Sequence, residues 1–186
     1  MSNETEINAI HARLDRPLVL IGMPAAGKSA LGRRLGQALR LDFIDLDGLI
    51  EKEAGRSITT IFETEGEAAF RDLESFALAG VFERSARACV LSTGGGIILR
   101  PANRELIFGD GHAIWVRASI PVLLERAARN TDRPLLKNKD PEKILRELET
   151  ARLPFYQKAA IAVDTDHRPP EQIVSEMMTK IYERVI

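Results

Sequence analysis

A lysine and a serine that follow a spaced pair of glycines make a combination suited to holding phosphate. Gly22-Met23-Pro24-Ala25-Ala26-Gly27-Lys28-Ser29 matches G-x-x-x-x-G-K-[ST] throughout. Such a loop wraps phosphates with its backbone N–H groups, and the helix that follows adds the positive end of its dipole. Gly27 permits close backbone approach, Lys28 reaches the β- and γ-phosphates, and Ser29 offers a hydroxyl to magnesium. The alternative is an ordinary glycine turn between strand and helix, which the complete pattern in this position disfavours.

Other residues could complete a phosphoryl-transfer site. Asp45 and Asp47 flank Leu46 at the end of an expected strand, where a period of two points both carboxylates to one face. Such a pair needs a cation or hydrogen bonds to offset its repulsion. Magnesium near Ser29 could serve Asp45 and a substrate hydroxyl could serve Asp47, or Asp47 could simply cap the helix that follows. Arg71 and Glu74 are three apart on an expected helix, and on spacing alone a solvated surface pair is the simpler account. Arg133 lies in the polar stretch Asn130-Thr131-Asp132-Arg133-Pro134, a loop composition suited to a lid whose arginine neutralises transition-state charge. Surface charge is the competing account for Arg133 and for Arg152. Gly94-Gly95-Gly96 directly follows an apolar run. Three glycines are entropically costly, so a backbone brought close to a ligand is a reasonable cause. His11, His112 and His167 form no constellation, and Cys89 sits in an apolar run as an inert core residue.

These groups need a frame. Short apolar runs at residues 18–21, 43–46, 89–92, 113–116 and 161–163 alternate with helical stretches, which predicts a parallel sheet covered by helices on both faces. Ligands of such sheets bind beyond the carboxyl ends of the strands, where the residues above fall. With 45% hydrophobic and 28% charged residues, the 186-residue chain can bury a core as one soluble domain. Its formal net charge of -1 and lack of a basic block argue against nucleic acid as a main partner. No apolar run approaches a membrane span or a signal-peptide core, so a cytoplasmic location without membrane association is expected. Ile7, Ile10 and Leu14 have helical spacing, so residues 1–16 form a polar extension with a short docked helix, ahead of a single domain over 17–186.

The order of segments resembles shikimate kinase from about Leu18 to the C-terminus. The landmarks are GMPAAGKS (22–29), FIDLD (43–47), GRSITTIFETEGEAAFR (55–71), LSTGGG (91–96), NTDRPLL (130–136) and ARLPFY (151–156). Ala26 and Ala30 depart from a common family form, which has serine and threonine there, without touching Lys28 or Ser29. The resemblance implies a nucleoside monophosphate kinase-like three-layer α/β/α sandwich. Its five-stranded parallel sheet has the order 2-3-1-4-5, with a lid over about 130–139 and a substrate-binding region over about 46–75. It implies ATP-dependent phosphorylation of the 3-hydroxyl of shikimate, a step towards chorismate and the aromatic amino acids, by a monomer using magnesium.

Carried over by position, Lys28, Asp47 and Arg133 are the catalytic residues. Asp47 orients the attacking hydroxyl or accepts its proton. Gly22, Pro24, Ala25, Ala26, Gly27, Lys28, Ser29 and Ala30 hold the phosphates. Arg126, Arg133, Arg168 and Pro170 complete the ATP site, with Arg126 and the 168–170 segment bordering the adenine. Asp47, Arg71, Gly94, Gly95, Gly96 and Arg152 bind shikimate, the two arginines on its carboxylate. Ser29 and Asp45 hold magnesium, Glu74 orients Arg71, and Phe62 and Phe70 wall the pocket.

Overall fold

In a computed structural model the described residues are 3–84, 88–129 and 140–185. Five strands, β1 (Leu18–Ile21), β2 (Phe43–Asp45), β3 (Val90–Ser92), β4 (His112–Arg117) and β5 (Ile161–Asp164), form one parallel sheet. Its order is β2-β3-β1-β4-β5. The central strand β1 is buried at every position, as its unbroken Leu-Val-Leu-Ile run requires of a strand covered on both faces.

Helices α1 (Asn3–Arg13), α2 (Lys28–Leu39), α3 (Leu46–Ala54), α4 (Ile58–Arg84), α5 (Pro101–Glu105), α6 (Ile120–Ala128), α7 (Pro141–Tyr156) and α8 (Pro170–Val185) cover the sheet. On α2, Leu31, Leu35 and Leu39 bury a stripe at helical spacing. Gly32 lets this helix approach β2 closely, since a Cβ there would lie 2.7 Å from the Phe43 ring. Ile7, Ile10 and Leu14 enter the same core. The His11 ring bonds the Leu39 carbonyl at the end of α2, and Glu4 pairs with Arg40 at 3.3 Å. The N-terminal helix is thus docked on the far end of the helix that carries Lys28 and Ser29.

Local signals behave as their chemistry predicts in several places. Ser57 Oγ accepts from the Thr60 N–H at 3.1 Å at the start of α4. Asp140 accepts from the N–H groups of Glu142 and Lys143 at the start of α7. Gly66 interrupts α4 with φ 82 and ψ 177, a conformation open only to glycine, and kinks the helix. The strand expected over 43–46 ends one residue early, because Leu46 opens α3 and buries its side chain from the first turn of that helix. Among the described residues no helix is long and apolar enough to cross a membrane.

Candidate active site

The phosphate loop joins β1 to α2. Gly22 has φ 148, and a Cβ on it would collide with the Val116 carbonyl on β4. Gly27 has φ 95 and stands at the start of α2 in the left-handed region, so the pattern's two glycines sit where only glycine is unstrained. Lys28 is 8% exposed. Its ammonium donates to the carbonyls of Gly22 and Met23 at 2.9 and 2.8 Å and so lies folded along the loop. Ser29 Oγ is 3.1 Å from Ser92 Oγ at the end of β3, and Ser92 is the cross-strand register partner of Asp45. The carboxyl ends of β2 and β3 and the start of α2 therefore bring two hydroxyls and a carboxylate near one another, the all-oxygen donor chemistry that magnesium selects.

Beside this loop, Gly94-Gly95-Gly96 forms a floor. A Cβ on Gly94 would lie 2.8 Å from Glu74 Oε1 and 3.3 Å from Asp47 Oδ1. One on Gly95 would lie 3.0 Å from both Arg152 Nη1 and Pro24 Cδ, and one on Gly96 would lie 2.5 Å from Arg71 Nη2. Each absent side chain thus leaves room for a different polar group, drawn from α3, α4, α7 and the phosphate loop. The floor is fixed from below by Thr93 Oγ1 donating to Leu20 O at 2.9 Å, Asn103 Nδ2 to Ile97 O at 3.0 Å and Tyr156 Oη to Gly95 O at 2.8 Å.

The pocket is strongly electrostatic. Glu74 is fully buried, with Oε2 accepting from Arg71 Nη1 at 2.8 Å while Oε1 has no hydrogen-bond partner. Burial pushes its carboxyl above the ordinary range against the pull of Arg71, and nearby Asp47 adds to the upward push. Burial alone would lower the pKa of Arg71, but Glu74 and then Glu67 outweigh it and hold the guanidinium above its ordinary value. Arg152 is 6% exposed, and its Nε and Nη1 find no acceptor in the protein. A buried guanidinium with unused donors is costly unless an anion joins it. Phe62 and Phe70 pack with ring centroids 4.8 Å apart and planes tilted by 36°, and Arg71 lies over the Phe70 ring.

On the other side of the loop, Arg126 donates to the Ala26 carbonyl at 3.2 Å and to Thr165 Oγ1 and O at 2.9 and 2.7 Å. It ties the phosphate loop to the segment that leads to Arg168 and Pro170. Arg168 bonds Asp164 O and Glu176. The hydrogen bond from Lys180 is the first cause holding the Glu176 carboxyl below its ordinary value, with Arg168 adding to it.

Several sequence expectations change. Asp47 does not cap a helix, because it lies within the first turn of α3 and Asp45 occupies the N-cap position. For the same reason the two aspartates do not share a strand face. Arg71–Glu74 is no solvated pair, and Arg152 is not a surface charge. Spacing shows which residues share a helix face but not which face the rest of the chain covers. Arg133 and the lid over 130–139 lie outside the described residues. Spacing does not single out Ser92 or Tyr156, whose hydroxyls meet Ser29 and the Gly95 carbonyl. The signal for Ser92 was its place at a strand end beside the phosphate loop, and for Tyr156 its place one turn after Arg152.

A family model described as shikimate kinase matches residues 24–182. A shikimate kinase of Ruegeria pomeroyi is 42% identical over 93% of this chain and 88% of its own length. One of Pseudomonas syringae is 42% identical over 90% and 97%. The solved structure of shikimate kinase from Acinetobacter baumannii in complex with shikimate superposes with a TM-score of 0.85 at 33% identity, covering 94% of this chain and 98% of that one. The chain belongs to the shikimate kinase family.

Proposed function

We propose that this chain transfers the γ-phosphoryl group of ATP to the 3-hydroxyl of shikimate, giving shikimate 3-phosphate and ADP. The observation that carries the reading is the glycine floor, which gathers Arg71, Arg152, Asp47 and the phosphate loop around one space. Two arginines suit a carboxylate, which a planar guanidinium can hold bidentately. Arg152 offers unused buried donors for it, and Glu74 holds Arg71 in place. Asp47 is assigned to the acceptor hydroxyl, as its orienting group or as the acceptor of its proton.

In the transfer, the acceptor oxygen forms its bond to the γ-phosphorus as the bond to the ADP oxygen breaks. The protein's part is positioning and charge neutralisation. Lys28 exchanges its loop carbonyls for phosphate oxygens, and the backbone of residues 22–30, with N–H donors from all but Pro24, surrounds them. Magnesium, when bound through Ser29 and Asp45, offsets charge on the β- and γ-oxygens. Arg133 is assigned to the transferring group from the sequence. Arg126, Arg168 and Pro170 are assigned to the adenine side, a reading supported by the ties from Arg126 to both the phosphate loop and Thr165. Action as a monomer on free metabolites in the cytoplasm belongs to the same proposal.

The test is ADP release from MgATP with shikimate, gluconate or AMP added in turn. Release that depends on shikimate, with the phosphorylated product identified by mass, is the expected result. Turnover with another acceptor alone would keep the phosphate loop and remove the substrate assignment.

A further inference from the structure

Tyr156 is 1% exposed and ends α7, one turn after Arg152 on the same helix face. Its ring stacks on Trp115 of β4 with centroids 6.0 Å apart and planes at 22°. Trp115 in turn packs against the phosphate loop, where a Cβ on Gly22 would lie 3.6 Å from its Cδ1. The Tyr156 hydroxyl donates to Gly95 O at 2.8 Å. Gly95 is also where Arg152 Nη1, Pro24 and the Gly22 carbonyl converge, all about 3 Å from the position its Cβ would take. One hydroxyl therefore stands at the junction of α7, the glycine floor and the phosphate loop.

We infer that Tyr156 is a positioning residue for the acceptor: by holding the Gly95 carbonyl it fixes the floor and Arg152 in register, so that the shikimate carboxylate meets a preset site. This rests on the function proposed above. The peptide after Gly95 is trans, as no cis bond occurs among the described residues. Holding its oxygen towards Tyr156 therefore turns the Gly96 N–H to the opposite side. Without the hydroxyl a half-buried carbonyl loses its partner and the plane of that peptide is released. Burial pushes the phenol up to about 12, against the opposing pull of Arg152, so the donor keeps its proton throughout the working pH range. An adjacent Arg152 with unused donors distinguishes this contact from one that only satisfies a carbonyl.

Tyr156→Phe keeps the ring and its stacking and removes only the hydroxyl. The expected result is a rise of about tenfold in both KM and calorimetric Kd for shikimate, the order of one lost hydrogen bond. The KM for ATP should stay within about twofold. In combination with Arg152→Lys the losses should be less than multiplicative, because both act on one contact. Shikimate affinity unchanged in Tyr156→Phe, or ATP and shikimate KM values rising by the same factor, would overturn the role and leave the substrate assignment standing. A wild-type chain that binds no shikimate would instead remove that assignment and this proposal with it. Should the variant not fold, the wild type labelled at tyrosine Cζ gives the answer, since it has only Tyr156 and Tyr182 to resolve. The Tyr156 resonance should move on adding shikimate and stay still with MgADP; a resonance indifferent to shikimate would overturn the proposal.

Discussion

Glu74 shows how a single residue of this site trades stability for function. Its carboxyl is buried and pushed above the ordinary value of 4.5. In the window between that value and its raised one, the folded chain keeps a proton that the unfolded chain releases. Stability contributed by this group therefore falls as pH rises through the window. Glu74→Gln should flatten the decline of Tm with pH above 4.5 and, by loosening Arg71, raise the KM for shikimate by about tenfold. A Tm profile matching wild type would mean that burial of this carboxylate carries no net cost. Lys28 and Asp47 separate by a different measure. Lys28→Ala should lose roughly 10²–10³-fold in turnover, as for one preorganised electrostatic donor; near-normal turnover would remove it from the mechanism. Asp47→Asn should bind ATP normally and fail in transfer, since its place inside the first turn of α3 leaves no capping role to fall back on. Unchanged kinetics would take Asp47 out of the acceptor site.

At the scale of elements, what could be read in advance divides along sequence distance. The phosphate loop was legible because its chemistry is local: strand, glycines, lysine and helix start follow one another within residues 18–39. The caps that Ser57 and Asp140 supply are equally local, each side chain accepting from N–H groups two or three residues on. The burial of Glu74 and Arg152 was not legible, because it depends on the glycine floor arriving from β3 and on α4 and α7 closing over it. The turn from β2 into α3 comes one residue before the end of the apolar run 43–46, because Leu46 buries its side chain as the first residue of α3, and that residue sets Asp47 inside the helix. The floor itself yields a prediction. A Cβ on Gly96 would lie 2.5–2.7 Å from the Arg71 guanidinium, so Gly96→Ala must displace that side chain from its pairing with Glu74. Shikimate affinity should fall by about tenfold or more, while ATP affinity, set on the other side of Gly95, should change little. Equal losses for both substrates would mean that the two sites share the floor as one rigid unit.

Across the whole molecule, the groups assigned to transfer and described in the structure stand beyond the carboxyl ends of the strands, and the N-terminal helix is fastened at the other end of α2. Ile7, Ile10 and Leu14 lie in the common core, and His11 meets the last carbonyl of α2 rather than any residue of the site. From Lys28 to Leu39 that helix spans roughly 18 Å at 1.5 Å per residue, too far for α1 to touch a phosphate. Three buried aliphatic side chains bring about 1.5–3 kcal/mol each as an upper bound, a large share of the 5–15 kcal/mol that holds an ordinary domain together. Deleting residues 1–16 should therefore lower Tm by roughly 10 °C. Well below the new midpoint, kcat and both KM values should stay within about twofold of wild type, because among the described residues α1 is held by the core and by the far end of α2. The measurement is a thermal melt paired with steady-state kinetics at one low temperature. An unchanged Tm would contradict the docking of α1 in the core. A truncated chain with a reduced kcat after full folding would show that fastening the C-terminal end of α2 steadies Lys28 and Ser29 at its start, giving the extension a part in transfer.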